Sequence, residues 1–204
     1  LRDGELSRPI GSSLYRAVVG LRISTVLGAV IGLASARLSF VRMMNDPLIS
    51  IGFPLPELAL VPLFTLWFGI YDSSKIALVV FTCVFPIAMA VESAASNIPT
   101  VIQWSARSLG ASRLDVIRTV ILPASMPGLM SGVRVALPLA LLATFTAEMV
   151  SGGGGIGAGL MYAQRLFDTP TVFVYILVML FLGLVADKLF LLMRRRFLKW
   201  SDEL

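Results

Sequence analysis

Five apolar stretches constrain this chain more than any other feature of its sequence. They cover residues 13–37, 50–68, 75–94, 126–150 and 171–193, and charged, proline-rich or glycine-rich segments separate them. A helix needs about 20 apolar residues to cross the hydrocarbon core of a bilayer. The composition agrees, since 57% of the residues are hydrophobic and 14% are charged, against about 25% charged in soluble domains. The sequence therefore predicts an all-α integral membrane protein of one domain, residues 1–204, with about five transmembrane helices.

Prolines and glycines mark where the predicted helices end or bend. Three prolines punctuate the second apolar stretch, namely Pro54, Pro56 and Pro62. A proline in a span frees a backbone carbonyl that must find another partner, so we predict a re-entrant or extended segment over residues 50–57, followed by a short span. We also predict a break over 37–47, a tight turn over 71–74 and a flexible turn over 151–159. In the last of these, each glycine costs a helix about 1 kcal/mol relative to alanine.

The first apolar stretch contains glycines and arginines whose roles differ. Gly28 and Gly32 form a small-xxx-small pair, which favours the close approach of another helix. Ordinary tolerance of glycine in a membrane helix is the alternative explanation, and the sequence leaves both open. Arg16 and Arg22 lie in the first turns of the stretch, and we expect both side chains to reach out to the lipid head groups.

The longest polar segment between two apolar stretches is WSARSLGASRLDVIRTVILP, residues 104–123. It holds three arginines against one acid, and Gly110 interrupts it near the middle. The spacing of Ser112 and Asp115 is typical of a capping box, which marks the N-terminus of a helix. We therefore predict two short helices at a membrane surface, one on each side of a hinge at Gly110, with Pro123 opening the next span.

The distribution of basic residues predicts the orientation of the chain. The segments 37–50, 104–120 and 194–204 hold nine basic residues, whereas 69–75 and 151–170 hold only two. By the positive-inside rule, the first three segments are cytosolic. This topology accounts for the net charge of +5, and no nucleic-acid partner is predicted.

The polar segment resembles the EAA loop in the permease subunits of ABC importers. The family pattern is Glu-Ala-Ala, three residues, Gly, nine residues, Ile, one residue and Leu-Pro. Four positions match it: Ala106, Gly110, Leu122 and Pro123. Val120 stands where the pattern has isoleucine, Trp104 where it has glutamate and Ser105 where it has alanine. Three further segments resemble the branch that serves nitrate, aliphatic sulfonates and taurine: PLPELALVPLFTLWFGI at 54–70, SKIALVVFTCVFPI at 74–87 and ARSLGASR at 106–113.

The resemblance implies a type I permease in the bacterial inner membrane, with a cytosolic coupling loop over residues 99–122. Its implied solute is a small anion or zwitterion such as nitrate, a sulfonate or taurine. The implied partners are two ATPase subunits, a second permease copy or a close relative, an extracytoplasmic solute-binding protein and the lipid bilayer. A docking helix over 104–109 is implied, and the residues implied in ATPase coupling are Trp104, Ser105, Ala106, Arg107, Gly110, Ala111, Ser112, Arg113, Leu122 and Pro123. The family usually has one further span upstream, which we expect to be absent from this sequence.

Ionisable side chains within spans are costly to desolvate, which makes them candidates for a translocation path. We expect Glu148 to line the path near the outer end of the fourth span. Arg134 could attract an anion, or pair with a neighbouring acid, and Glu57 lies beside prolines where water could enter. Glu92 is near the cytosolic end of its span and has less claim to a role in transport.

No group of residues in the sequence is arranged as catalysis requires. There is no histidine and only one cysteine, and the glycine run lacks a following Gly-Lys-Ser/Thr. We therefore predict no cofactor, metal ion or nucleotide site, and a transport subunit rather than an enzyme. The alternatives are a non-transporting membrane scaffold and an ion-coupled secondary carrier. A secondary carrier usually contains internal repeats. Residues 1–100 do not resemble residues 101–204, which argues against a carrier.

Overall fold

The structure, a computed structural model, describes residues 7–197 apart from the side chains of Arg195 and Phe197, and this part is almost entirely helical. The α-helices are α1 (Ser7–Arg37), α2 (Ser39–Gly52), α3 (Glu57–Phe68), α4 (Asp72–Ser96), α5 (Thr100–Ser108), α6 (Arg113–Val116), α7 (Leu122–Ser151), α8 (Ile156–Arg165) and α9 (Thr169–Phe197). A π-helical turn, Ile117–Ile121, lies between α6 and α7.

Four helical stretches are long and apolar enough to cross a membrane, namely Ser7–Arg37, Asp72–Ser96, Arg113–Ser151 and Thr169–Arg194. Helices α2 and α3 together meet the same test as a fifth span, bent by 108° at the residues between them. The all-α membrane fold with about five transmembrane helices is therefore confirmed, as is the interruption of the second apolar stretch. Lys199, one of the nine basic residues assigned to the cytosolic side, lies outside the described residues, as do residues 1–6.

Helix α1 packs along α4 through a seam of small residues. Gly20, Gly28 and Gly32 are buried on this face of α1. A Cβ atom added to Gly28 would lie 2.8 Å from the Cβ atom of Ile87 in α4, which is closer than two carbons can approach. Of the two explanations for the glycine pair, close helix approach is therefore confirmed.

Helices α4 and α7 complete a three-helix core with α1. Buried residues of the two helices form one apolar cluster, which includes Val79, Cys83, Ile87 and Val91 of α4 and Val133, Ala136, Ala140 and Ala143 of α7. The Cys83 thiol donates to the carbonyl oxygen of Ala136 at 3.4 Å. Helix α9 contributes only Phe190 to the buried part of this cluster. Only 6% of its most apolar stretch is buried, and the exposed apolar surface is suited to lipid.

Three predicted interruptions are shorter than expected, because the neighbouring helices extend into them. Helix α2 runs through most of the predicted break, with Pro47 inside it. Helix α4 already begins at Asp72, a carboxylate in the first turn where the helix dipole favours negative charge. Helix α8 begins at Ile156, whose side chain is fully buried, so the glycine turn is confined to residues 152–155. All four of those glycines have positive φ, between 67° and 103°.

The structure differs most from the prediction in the segment that leads into α7. We predicted a second short surface helix closed by Pro123, but α6, the π turn and α7 form one continuous helix over Arg113–Ser151. Pro123 lies within it and opens no new span. Proline lacks an N–H group and its ring clashes with the preceding turn. The π turn lies directly before Pro123 and widens the helix at that point, which accommodates the proline without a break.

Candidate functional site

The polar segment turns at Gly110 through a Schellman motif. Gly110 has a φ of +90°, in the left-handed region that favours glycine. Its N–H donates to the carbonyl oxygen of Arg107 at 2.9 Å, and the N–H of Ala111 donates to that of Ala106 at 3.1 Å. These two bonds satisfy carbonyls that α5 would otherwise leave unpaired at its C-terminus. The chain therefore turns at the glycine where we predicted the hinge.

Ser112 begins the helix on the other side of this turn. Its Oγ atom accepts from the N–H of Asp115 at 3.2 Å, and Asp115 Oδ2 accepts from the N–H of Ser112 at 3.0 Å. Both halves of the predicted capping box are thus present. One cap ends α5 and the next starts α6, which leaves the connection little backbone freedom. We call residues 100–116 the elbow, because they hold a fixed angle.

An apolar cluster joins the elbow to the ends of α1 and α4. Its buried members are Ala95, Ile98, Val116 and Ile121, and Leu33, Ala36, Ala106 and Ala111 pack against them. A polar contact adds to it, since Arg37 Nη1 at the end of α1 donates to Gln103 Oε1 of α5 at 2.9 Å. The other two guanidinium nitrogens of Arg37, Nε and Nη2, are buried and have no hydrogen-bond partner among the described residues.

The opposite face of the elbow is exposed and partly apolar. Trp104 is 63% exposed and Leu109 is 89% exposed. Arg107 and Arg113 are exposed on the same segment. Large apolar side chains grouped on a surface mark an interaction site more often than scattered ones do. The elbow therefore presents a firm, partly apolar surface with basic residues beside it.

Most of the residues proposed for coupling share the elbow. Eight of the ten lie in it, and Leu122 and Pro123 lie in the first turn of α7. The docking helix predicted over 104–109 is α5, which begins earlier, at Thr100, and ends at Ser108. Pro99 precedes α5, and proline fits the start of a helix because the first N–H groups need no partner there.

A cavity of about 180 Å³ opens where α2 and α3 meet, and we call it the bend chamber. Glu57 and Thr82 line it, together with apolar side chains such as Phe85 and Leu142. Glu57 Oε2 accepts a hydrogen bond from Thr82 Oγ1 at 3.5 Å, a long and weak contact. The predicted path residue Glu57 therefore lines a cavity and holds its carboxylate only loosely.

A larger cavity of about 580 Å³ lies between α2 and α4 beside the elbow, and we call it the loop-side chamber. Arg42 and Asp46 of α2 line it, with Glu92, Ser93 and Asn97 of α4. Arg42 Nε and Glu92 Oε1 form an ion pair of 2.9 Å. Sequence reasoning gave Glu92 little weight and missed Arg42, because nothing local indicates that residues 50 positions apart in the chain (42 and 92) meet.

Glu148 is enclosed by the chain's own residues instead of lining a path, and that prediction is corrected. Its side chain is 0% exposed. It accepts from Ser13 Oγ at 2.8 Å, from Arg16 Nη1 at 2.7 Å and from the N–H of Gly157 at 3.0 Å. A carboxylate out of water is stable only when it is paired and hydrogen-bonded, and these donors meet that need. The remaining predicted path residue, Arg134, is exposed on α7, and no ion pair joins it to an acid within residues 7–197.

Arg16 is the centre of this arrangement and does not reach the head groups as predicted. It is 4% exposed. It donates to Asp72 Oδ1 at 2.7 Å and to the carbonyl oxygens of Gly154 at 2.9 Å and Gly153 at 3.2 Å, besides Glu148. We call this group the closed cluster: Ser13, Arg16, Asp72, Glu148, Gly153 and Gly154. It joins the beginnings of α1 and α4 to the end of α7 and the glycine turn.

Residues 24–199 match the family described as "Binding-protein-dependent transport system inner membrane component". The chain is 37% identical over 199 residues to the putative aliphatic sulfonates transport permease protein SsuC of Escherichia coli (strain K12), covering 98% of this chain and 76% of the relative. It is 30% identical over 201 residues to the taurine transport system permease protein TauC of the same organism, covering 98% and 73%.

A solved structure of the MetNI methionine ABC transporter, in an inward-facing conformation, has the same fold. The TM-score is 0.78, and the match covers 93% of this chain and 94% of that one. The two sequences are 21% identical, so this likeness concerns the fold alone.

Proposed function

Because this chain belongs to the family of binding-protein-dependent transport system inner membrane components, we propose that it forms one half of a translocation path for a small solute, with a second copy of itself as the other half. The chain is a multi-pass inner-membrane permease subunit of an ATP-binding-cassette importer. Importers of this kind work with ATPase subunits and a solute-binding protein. Two ATPase subunits serve the permease pair, each coupled through residues 99–122.

The elbow is the observation that carries this proposal. Its two caps fix its shape, and the apolar cluster beneath it includes the ends of α1 and α4. An ATPase that presses on Trp104 and Leu109 would therefore move the core helices directly. A helix seated in a groove of a partner is a known recognition mode. ATP binding then acts as the ligand that shifts the permease between two arrangements.

Glu57 and Arg134 are the proposed path residues. Glu57 lines the bend chamber, and Arg134 is exposed on α7 without an acid to neutralise it among the described residues. A few helices do not enclose a water-filled path by themselves. A second permease must therefore close the path on the exposed side of Glu57 and Arg134. Cross-linking in membranes is expected to trap a permease pair, and full activity of a monomeric permease would overturn the pair.

The proposed solute is a small anion or zwitterion such as nitrate, a sulfonate or taurine. The names of the two relatives, for aliphatic sulfonates and for taurine, support it. The cation at Arg134 supports it too, because a positive charge at the mouth of a path raises the local concentration of anions.

Uptake into proteoliposomes tests the function. The permease is reconstituted with its ATPase and its binding protein, and ATP-dependent uptake is measured for taurine, ethanesulfonate and nitrate, with maltose and a long peptide as controls. We expect uptake of at least one of the three anionic or zwitterionic solutes. Strict preference for the sugar or the peptide would refute the solute class, and undiminished uptake without the ATPase would favour a secondary carrier.

A further inference from the structure

We infer that the loop-side chamber binds solutes that carry an anionic group and an ammonium group together, and that it is the last binding site before release on the elbow side. This inference rests on the proposed transport function and names a site within it. The chamber of about 580 Å³ is within the range of about 300–1,000 Å³ usual for small-molecule sites.

The amphipathic character of α2 supports an aqueous chamber. One face of α2 is apolar and exposed, and its members are Phe40, Met43, Met44, Leu48 and Ile51. The polar residues Arg42, Asp46 and Ser50 lie on the chamber side. A helix with an apolar outer face and a polar inner face is suited to lipid on one side and water on the other. The polar side chains of α2 are therefore exposed to water in the chamber, where a solute would pass.

The charges of the chamber are mixed and only partly neutralised. Glu92 is 8% exposed and pairs with Arg42, whose side chain is 55% exposed. The contact uses Arg42 Nε, so the guanidinium can still receive a sulfonate or carboxylate through N–H groups on its exposed side. Asp46 supplies a second carboxylate, and Ser93 and Asn97 supply neutral hydrogen-bonding groups. One cation beside two carboxylates suits a zwitterion better than a simple anion, which the carboxylates would repel.

The loop-side chamber continues the line of the bend chamber along α4. Thr82 and Phe85 line the bend chamber, and Met89 and Ser93 line the loop-side chamber. These residues follow one another at intervals of three or four, which places them on one face of the helix. Gly52 of α2 packs against the ring of Phe85 in the lining of the bend chamber, since a Cβ atom added there would be 2.6 Å from Phe85 Cζ. A solute leaving Glu57 would therefore reach Glu92 without changing helix face.

The test compares two solutes that differ only in the ammonium group, taurine and ethanesulfonate. Uptake is measured with the complete transporter in proteoliposomes, and the same binding protein is used throughout, so that its own selectivity cancels in the ratio of variant to wild type. For Glu92→Gln we expect taurine uptake to fall about tenfold, the loss of one charge-assisted hydrogen bond, and ethanesulfonate uptake not to fall. For Arg42→Gln we expect both to fall. Asp187→Asn on α9, which lines neither chamber, is the control and should leave both unchanged.

Two further measurements keep the outcomes distinct. Asp46→Asn removes an exposed carboxylate and should not affect folding. It should also lower taurine uptake selectively, and it serves as the test if Glu92→Gln reduces membrane abundance. Equilibrium binding of radiolabelled taurine to the solubilised permease–ATPase complex should weaken in both acid variants. If the acid variants change both solutes alike, or neither, the zwitterion site is refuted while transport stands. If the wild type transports ethanesulfonate or nitrate but not taurine, the zwitterion site is refuted while the transport function stands. If it transports none of the three solutes, the proposed function itself fails.

Discussion

Arg16 and Arg37 lie towards opposite ends of α1, and their guanidinium groups are bound very differently. Arg16 uses all three nitrogens, in hydrogen bonds to two carboxylates and two backbone carbonyls. Arg37 makes one hydrogen bond, to Gln103, and its two other nitrogens are buried without a partner among the described residues. A buried donor without an acceptor costs about 1–3 kcal/mol. Among the described residues, the guanidinium at the closed-cluster end of α1 has all its hydrogen bonds satisfied, and the one at the elbow end does not.

The difference suggests a division of labour between the two ends. The closed cluster links α1, α4 and α7 through buried charges, so its loss should damage the fold of the permease itself. The elbow holds its own shape by local caps and leaves an apolar surface open, so its loss should damage assembly with the ATPase. Variants at the two ends of α1 should therefore affect folding and assembly independently.

Arg16→Ala should have the largest effect. It leaves Glu148 buried without its counter-charge, and breaking a buried pair in this way costs about 3–5 kcal/mol. We expect a large fall in membrane abundance and a lower thermal midpoint for the purified permease. Arg22→Ala, an exposed residue of the same helix, is the matched control. An unchanged midpoint for Arg16→Ala would mean that the closed cluster does not hold the bundle together.

Gly110→Val should have the second largest effect, which is on assembly with the ATPase. A side chain at a φ of +90° is strained by about 1–2 kcal/mol, and β-branching adds to this. A Cβ atom there meets nothing within 4 Å, so the spans should still insert and abundance should stay normal. We expect weaker recovery of the ATPase in co-purification and loss of uptake.

Two variants control for Gly110→Val. Gly110→Asn should restore much of the ATPase binding, because asparagine tolerates the left-handed region. Gly11→Val places the same side chain in open space on α1 and should leave assembly intact. Normal ATPase recovery and uptake with Gly110→Val would end the coupling hypothesis.

Ser112→Ala should weaken assembly less. It removes the hydroxyl of the capping box, a loss of about 1 kcal/mol to the start of α6. The Schellman turn at Gly110 remains, so we expect a several-fold loss of ATPase affinity at an unchanged permease midpoint. Ser108→Ala removes a hydroxyl that bonds only within α5, and it should change neither quantity. Equal effects of the two variants would show that the cap does not shape the docking surface.

Arg37→Met should change the stability of the isolated permease least, by less than about 1 kcal/mol. It loses one hydrogen bond but also removes two buried donors that lack acceptors, and the two effects oppose each other. The measurement is the thermal midpoint of the permease alone, set beside that of Arg16→Ala. A drop as large as that of Arg16→Ala would erase the contrast between the two ends of α1.

Sequence reasoning succeeded where the signal was local. Gly110, Ser112 and Asp115 lie within six consecutive residues, and the hydrogen bonds of the turn and the cap join residues no more than five positions apart. The apolar stretches were equally readable, because the length of each decides whether it can span a membrane.

It failed where the partner lay far along the chain. Arg16 and Glu148 each resembled a solvent- or path-facing group in isolation, and they meet only because α1 packs beside α7. The pair of Arg42 and Glu92 was missed for the same reason. Pro123 indicated a helix start by local rules, and the turn that accommodates it is a property of the whole segment, not of any residue type.

The π turn before Pro123 also determines how the elbow is rotated around the axis of α7. An α-helix advances about 100° and about 1.5 Å per residue, so the one extra residue of a π turn twists the elbow by roughly that angle around the axis of α7. Only at this setting do Ala106 and Ala111 meet the bundle while Trp104 and Leu109 point outwards. The number of residues in the π turn therefore determines the direction in which the docking surface faces. Insertion or deletion of one residue within 117–121 would leave every cap intact and swing the same surface towards a different neighbour.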